Sequence, residues 1–221
     1  MGVLKNFVTK IHKKTKRNYL QRMINDKVNC SKIAKKYSKQ YWDGNRKFGY
    51  GGYKYIPGYW RPVALKLIKN YNLNSKSKIL DAGCGKGFLL NELSLLLPGL
   101  KVYGFDISNY AINNSYPNMK KNIFYHDIKK KFPFKKNQFD LVISLGTIHN
   151  LKIFEIFKSL KEIERVGKKS YVMVESYKNL KELFNLQCWA LTCETFLSTE
   201  EWIWLYKKSK FTGDYEFIFF E

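Results

Sequence analysis

The chain has 221 residues, which is long enough for one sizeable hydrophobic core and too short for two full domains. Hydrophobic residues make up 45% of it and aromatic residues 17%, a composition that excludes a disordered chain. The formal net charge is +22, and residues 1–40 carry half of it, with twelve basic residues against the single acid Asp26. Because the excess is concentrated in one segment, the charge alone does not indicate a nucleic-acid-binding site.

The four cysteines form no C-x-x-C pair, and only three histidines accompany them, which argues against a zinc site. Without a secretory signal, and with Cys84 inside a glycine loop, the sequence favours a reducing cytoplasm. No apolar run approaches the ~20 residues of a membrane-spanning helix. We therefore expect a soluble or at most peripheral protein, and the sequence leaves its oligomeric state open.

Residues 1–20 have the apolar spacing of a helix with lysines around the remaining surface. The apolar face would consist of Val3, Leu4, Phe7, Val8 and Ile11. One interpretation is a helix that contacts a membrane surface or a partner. The other is a helix that packs this face on the body of the protein. A second helical pattern covers residues 29–41.

Residues 41–62 combine glycines at positions 44, 49, 51, 52 and 58 with seven tyrosines or tryptophans. This composition argues against a regular helix and predicts a loop that covers part of the molecule. We call this segment the lid.

From Val63 the pattern is regular, with a helix to Tyr71 and a buried strand that ends at Asp81. The loop that follows, DAGCGKG, leads into an apolar helix. Alternate glycines let a ligand approach the backbone, and the helix offers free N–H groups and a positive dipole end. Nucleotide-type ligands bind at such turns, but a dinucleotide fingerprint would read G-x-G-x-x-G.

Two further acids follow strand patterns. Asp106 ends the second strand about twenty residues after the glycine turn, where a carboxylate accepts hydrogen bonds from ribose hydroxyls. Asp127 follows the third strand, Ile123 to His126. The three acids and the glycine loop together favour an adenosine-containing ligand.

The motif D-x-G-x-G-x-G at Asp81, the acids Asp106 and Asp127, and FDLVIS at residues 139–144 resemble the class I S-adenosylmethionine-dependent methyltransferases. The resemblance covers about residues 75–175. It implies an α/β fold, a Rossmann-like doubly wound, mostly parallel sheet of six to seven strands with helices on both faces. The family's last strand is antiparallel, and we expect it at residues 215–220, with a very short candidate for the sixth strand near Phe211.

The implied organisation has two parts. Residues 1–62 form a basic N-terminal helical arm and the aromatic, glycine-rich lid. Residues 63–221 form the methyltransferase domain, with a substrate-side insertion at residues 176–197.

The resemblance also implies the cofactor, S-adenosyl-L-methionine, and the residues that bind it. In the family the glycine loop carries the amino-acid end of the cofactor, the acid after the third strand contacts the adenine amino group, and the next backbone N–H reaches a ring nitrogen. The expected cofactor-binding residues are Asp81, Gly83, Cys84, Gly85, Gly87, Asp106, Ile107, Asp127, Ile128 and Ser144. For Asp127 the alternative is a turn or a helix cap.

In this family the segment before the first strand often caps the cofactor and contributes to the acceptor pocket. We expect the lid aromatics to shield the sulfonium, and Arg46, Lys54 and Arg61 to hold an anionic acceptor. The alternative is a rigid aromatic packing loop. In the insertion at residues 176–197, Trp189 is expected to be part of the pocket wall.

The proposed general base is His149, the only histidine in a loop on the cofactor side. Its alternative role is a hydrogen bond to the start of the next helix. Glu175 and Tyr53 are the next candidates.

The predicted function is methyl transfer to an oxygen or nitrogen of a small molecule or sugar, an analogy that rests on fold. One alternative is an RNA methyltransferase whose N-terminal lysines bind phosphate. The other is a non-catalytic cofactor-binding or scaffolding protein.

Overall fold

The computed structural model describes residues 2–51 and 53–221. Within those residues six strands form one sheet in the order β3-β2-β1-β4-β5-β6, and every pairing is parallel. The strands are β1 (Lys78–Ala82), β2 (Lys101–Asp106), β3 (Ile123–Tyr125), β4 (Leu141–Leu145), β5 (Ser170–Glu175) and β6 (Asp214–Ile218). The Rossmann-like, doubly wound α/β architecture is therefore confirmed. The order reverses between β1 and β4, which opens a crevice at their C-terminal ends.

Ten α-helices accompany the sheet in the described part of the chain. They are α1 (Thr9–Lys13), α2 (Tyr19–Ile24), α3 (Lys27–Ala34), α4 (Lys39–Asp43), α5 (Arg61–Tyr71), α6 (Phe88–Leu96), α7 (Asn109–Asn113), α8 (Ile153–Val166), α9 (Leu180–Trp189) and α10 (Thr199–Lys208). Apolar side chains of α5, α6 and α9 pack on one face of the sheet, and those of α8 and α10 pack on the other. Two hydrophobic layers thus enclose the strands and fix the positions of their ends.

The predicted antiparallel last strand is wrong. β6 pairs in parallel with β5, in a register that places Val172 opposite Tyr215, and α10 crosses over between the two strands. A crossover helix returns the chain to the same end of the sheet, which forces parallel pairing. Phe211, expected near a short sixth strand, lies in the turn after α10, and β6 itself is the sixth strand.

The N-terminal segment covers the outer edge of β6. Lys5 N donates to Tyr215 O at 2.8 Å, and Tyr215 N donates to Val3 O at 3.2 Å. Backbone pairing of this kind blocks the sheet edge from associating with other strands. The predicted helix over residues 1–20 is therefore wrong at both ends, because Leu4 forms an isolated β-bridge with Tyr215 and helix α1 covers only Thr9–Lys13.

The apolar side chains of the segment have different environments. Val3 and Leu4 are exposed, whereas Phe7, Val8 and Ile11 are buried in the core. This arrangement matches the interpretation in which the segment packs on the body of the protein.

A buried carboxylate on β6 holds the start of α1. Glu216, 1% exposed, accepts hydrogen bonds from Phe7 N at 2.6 Å, Val8 N at 3.0 Å and Thr9 N at 2.8 Å. The hydroxyl of Tyr171 donates to the same carboxylate at 2.6 Å. The first N–H groups of a helix have no partner within the helix, so this glutamate serves as a cap supplied from the sheet.

No helix among residues 2–51 and 53–221 is long and apolar enough to cross a membrane.

We expect Glu216→Ala to lower the free energy of unfolding by about 3 kcal/mol, because several buried N–H groups lose a charged partner. Urea unfolding measures this change. Glu221→Gln is the matched control, since that carboxylate forms only an exposed ion pair with Lys13 and its loss should be nearly neutral. Equal stability of the Glu216→Ala variant and the wild type would contradict the capping role.

Candidate functional site

A cavity of about 720 Å³ lies at the C-terminal ends of β1, β2, β4 and β5. Its volume is in the range of small-molecule and cofactor sites. Its walls include the glycine loop at residues 81–88, the segments after β2 and β3, the loop at residues 145–152, the lid and Glu175. The topology therefore brings most of the sequence-predicted site residues to one place.

The glycine loop has the geometry that its sequence predicts. Gly83, Gly85 and Gly87 all have positive φ, and at Gly85 (φ +54°) a Cβ would lie 2.7 Å from the ring of Trp42. A side chain at this position would be strained by the backbone conformation and would displace the lid. Cys84 also lines the cavity, and burial raises the pKa of its thiol, so the thiol stays protonated.

Asp106 joins the glycine loop to the end of β2. Its Oδ2 accepts from Gly85 N at 2.9 Å, and its Oδ1 accepts from Ser108 N at 2.8 Å. Burial raises the pKa of this carboxyl, and the hydrogen bonds from backbone N–H groups act against that rise. Both oxygens are therefore fixed in position at the wall of the cavity.

Asp81 differs from Asp106 because one of its oxygens is unused. Among the described residues, Asp81 Oδ1 is buried and has no hydrogen-bond partner. Burial, and then the charge of Asp106, raise the pKa of Asp81 to about 8. An unpaired buried carboxyl at a cavity wall is a place where a ligand cation would be stabilised.

The remaining predicted cofactor residues divide into two groups. Ile107, Asp127 and Ile128 line the cavity, and Asp127 Oδ1 also accepts from Lys129 N at 3.0 Å, as in a turn. Ser144 does not line it. Ser144 is fully buried, and its hydroxyl donates to Ala82 O at 2.8 Å, which ties β4 to β1.

The lid packs directly on the glycine loop. The indole N–H of Trp42 donates to Ser108 Oγ at 2.8 Å, and Asp43 forms an ion pair with the buried Lys86 at 2.7 Å. The Tyr53 ring lies 4.7 Å from that of Trp42 and also lines the cavity. Gly52, one of the lid glycines, lies outside the described residues.

The predicted acceptor-binding residues do not come together. Trp189 is buried and lines the cavity, whereas Lys54 and Arg61 are exposed and lie outside its wall. Arg46 is also exposed and outside the wall, with its guanidinium 5.6 Å from the Trp189 ring and a hydrogen bond to Tyr50 O. The structure thus offers no common anion site formed by Arg46, Lys54 and Arg61.

Sequence reasoning missed two arginines of the N-terminal segment. Arg17 lines the cavity, with its guanidinium 5.5 Å from the Trp189 ring. Arg22 is 7% exposed and donates to Gly49 O at 2.7 Å and Arg46 O at 2.9 Å. It therefore holds two backbone carbonyls of the lid from a buried position. One sequence signal could have singled them out. Arginine is scarce in this chain, with only five among the 40 basic residues.

His149 lies beside Glu175 with both ring nitrogens engaged. Its Nδ1 accepts from Glu175 N at 3.3 Å, and its Nε2 lies 3.5 Å from Glu175 Oε2. This network assigns the ring proton to Nε2. Burial lowers the pKa of His149 to about 3, so the ring is neutral and has no free lone pair to take a proton from a substrate.

The pKa of Glu175 is raised, whereas that of His149 is lowered. Burial raises its pKa to about 7, against the lowering effects of Arg17 and then Lys27, and its carboxylate faces the cavity. Burial also raises the pKa of Tyr53 to about 12, and its hydroxyl accepts from Tyr50 N at 3.2 Å. Of the three proton-transfer candidates, Glu175 is the group whose pKa suits proton acceptance near neutral pH.

A family model described as a methyltransferase domain matches residues 73–215. The chain therefore belongs to the class I S-adenosylmethionine-dependent methyltransferase family. Demethylmenaquinone methyltransferase of Chlorobaculum parvum is 32% identical over 117 residues, 51% of this chain and 46% of that protein. The mitochondrial arginine-hydroxylase NDUFAF5 of Mus musculus is 29% identical over 116 residues, 52% of this chain and 33% of that protein. The chain thus spans a third to nearly half of the length of these relatives.

Solved structures support the fold. A SAM-dependent methyltransferase from Aquifex aeolicus aligns with a TM-score of 0.51 and 23% identity, over 70% of this chain and 82% of that one. A methyltransferase in complex with the Trm112 activator of Haloferax volcanii aligns with a TM-score of 0.52 and 17% identity, over 66% and 71%. At these identities the likeness shows the fold alone.

The His149 ring should not titrate between about pH 8 and about pH 5, because burial keeps it neutral, whereas an exposed imidazole titrates near 6.5. Two-dimensional NMR of the ring carbons measures this, and the His149→Gln variant identifies the signal. A titration midpoint between about 6 and 7 would show that the ring is accessible and able to act as a base.

Proposed function

We propose that this protein transfers a methyl group from S-adenosyl-L-methionine to an oxygen or nitrogen of a small-molecule or sugar acceptor. The observation that carries the proposal is the pair of buried carboxyls at adjacent strand ends, Asp81 with an unpaired oxygen and Asp106 held against the glycine loop.

The residues present fit this cofactor. Asp106 is suited to bind ribose hydroxyls, and the unpaired Oδ1 of Asp81 is suited to the cofactor's α-ammonium group. Ile107 and Ile128 are suited to an adenine ring, and Asp127 to its amino group. When bound, S-adenosylmethionine supplies an electrophilic methyl group on a positively charged sulfur.

The lid contributes to the proposed site through its aromatic rings and through an ion pair. Trp42 and Tyr53 place aromatic rings against the glycine loop, where π faces stabilise a cation. The ion pair of Asp43 with Lys86 keeps this part of the lid in place and limits the entry of water. A cavity of about 720 Å³ that the lid covers in part suits a small acceptor.

In the proposed mechanism Glu175 accepts the proton that the acceptor loses. The neutral His149 positions Glu175 through Nδ1, which accepts from the Glu175 backbone N–H, and through Nε2, which lies 3.5 Å from the carboxylate. Alignment of the acceptor with the methyl group accounts for most of the rate enhancement, because the reaction is an in-line displacement that needs no covalent enzyme intermediate. His149 is thus a positioning residue in this proposal.

Asp106→Asn should weaken binding of S-adenosylmethionine about tenfold or more, because an amide cannot accept from Gly85 N, Ser108 N and a ribose hydroxyl together. Isothermal titration calorimetry measures the dissociation constant. The control is Asp140→Asn at the start of β4, where the carboxylate bonds Lys78 N and Lys168 far from the crevice. Equal losses in both variants would contradict the assignment of Asp106.

The rate should fall as the pH falls below about 7, because a base must be deprotonated to act and burial raises the pKa of Glu175 to about that value. The pH profile of kcat/KM measures this, with one acceptor found by screening pools for formation of S-adenosylhomocysteine. Glu175→Gln should remove the acid limb and lower kcat by about 10²- to 10⁴-fold. A profile that keeps this limb in Glu175→Gln would identify another group as the base.

A further inference from the structure

The carboxylate of Glu175 has no direct cationic partner among the residues that the structure describes. The ionisable group that contacts it there is the neutral ring of His149, whose Nε2 lies 3.5 Å from Glu175 Oε2, and 18% of the Glu175 side chain is exposed. Buried carboxylates in proteins are normally paired with a cation or saturated with donors, because desolvation of an unpaired charge is costly. Glu175 nevertheless lines the cavity.

The two nearby cations are already occupied by other groups. Arg17 directs its terminal nitrogens to Thr15 O at 3.0 Å and to His12 Nδ1 at 3.1 Å. Lys27 donates to Gln187 O at 3.0 Å and to Cys188 O at 2.7 Å. These cations lower the pKa of Glu175 from a distance, but neither bonds to its carboxylate. Lys27 lies outside the cavity wall, and Arg17 keeps only its Nε without a partner among the described residues, so an anionic substrate finds a single free N–H here.

A second unused acceptor lies in the same cavity wall. Asn150 Oδ1 is buried without a partner among the described residues, while Asn150 Nδ2 donates to Gly146 O at 3.1 Å. This residue follows His149 in the loop after β4. Glu175 and Asn150 thus each bring to this wall a carboxylate or amide oxygen that accepts no hydrogen bond from the described residues.

The cavity wall also carries several aromatic side chains. Tyr50, Tyr59, Trp60 and Trp189 line the cavity. Aromatic rings around a carboxylate form the type of site that binds an ammonium group.

We infer that the methyl acceptor is a small primary or secondary amine, which binds as an ammonium ion beside Glu175 and gives a further N–H to Asn150. The inference rests on the proposed function and specifies its substrate class. A carboxylate acceptor would bring a second negative charge to Glu175, and an alcohol would offer one donor for two waiting oxygens.

The chemical step balances. The ammonium ion first gives one proton to the Glu175 carboxylate, which frees the nitrogen lone pair. The neutral amine then attacks the methyl carbon, the bond from that carbon to sulfur breaks, and sulfur keeps the electron pair. The product leaves as a methylated ammonium ion, and the proton on Glu175 passes to water.

The test compares matched probes on the full chain: benzylamine, benzyl alcohol and benzoate, and the corresponding aliphatic trio of butylamine, butanol and butyrate. Binding is measured by calorimetry with S-adenosylhomocysteine present, and turnover is measured with S-adenosylmethionine. We expect at least one amine to bind about tenfold more tightly than its matched alcohol and carboxylate. Turnover should follow the same order.

Variants test whether Glu175 and Asn150 cause the preference for amines. Glu175→Gln should reduce the preference for amines over alcohols to near unity, and Asn150→Ala should reduce it in part. Glu194→Gln is the matched control, because Glu194 lines the same cavity but is already paired with Lys35 at 2.7 Å, and it should keep the preference. Thermal unfolding midpoints close to that of the wild type exclude a folding defect.

Three results would overturn the inference: an alcohol or carboxylate preferred over its matched amine, a preference unchanged in Glu175→Gln, or no binding by either amine while S-adenosylhomocysteine binds. Each leaves the cofactor assignment intact. Failure of both S-adenosylmethionine and S-adenosylhomocysteine to bind would instead overturn the proposed function.

Discussion

The rest of the site depends on the hydrogen bonds of one carboxylate. Asp106 accepts from the backbone N–H of Gly85 and from that of Ser108, which joins the glycine loop after β1 to the end of β2. The hydroxyl of Ser108 in turn accepts from Trp42 and donates to Tyr37 O at 2.6 Å. Three segments far apart in sequence are thus coupled through two adjacent polar side chains. The positions of the glycine loop, the end of β2 and the lid therefore depend on one another.

Burial of carboxyls gives the crevice its chemical character. Asp81 and Glu175 both have pKa values raised mainly by burial, to about 8 and about 7. Each such group costs stability at neutral pH, because the unfolded chain ionises more easily than the folded one. A protein retains such groups where a ligand supplies the missing partner. Asp81 lies at the glycine loop and Glu175 at the end of β5. The proposed cofactor-binding part and the proposed acceptor-binding part of the crevice therefore each contain one carboxyl with a raised pKa.

The parts that the sequence predicted were those determined by local spacing. Glycines at alternate positions and acids at successive strand ends identify a crevice, because the strand ends of a parallel sheet meet at one edge. The direction of β6, in contrast, is not determined by its local sequence. Alternating side chains fit an edge strand of either direction, and only the crossover by α10 decides that the pairing is parallel.

The same limit applies to the lid and to the proton-transfer groups. Arg22 binds carbonyls of residues that lie 24 and 27 positions away, and Glu216 caps a helix at the opposite end of the chain. The sequence favours His149 as the base because a free imidazole titrates near neutrality, and only the structure shows that Glu175 N donates to its Nδ1. Long-range hydrogen bonds of this kind leave no periodic signature in a sequence.

A crystal structure with S-adenosylhomocysteine bound tests most directly whether the crevice is the binding site of S-adenosylmethionine, as we propose. We expect ribose hydroxyls within hydrogen-bond distance of Asp106 and the cofactor's amino group beside Asp81 Oδ1. A ligand bound elsewhere, or a crevice that takes up a dinucleotide and excludes S-adenosylhomocysteine, would contradict it.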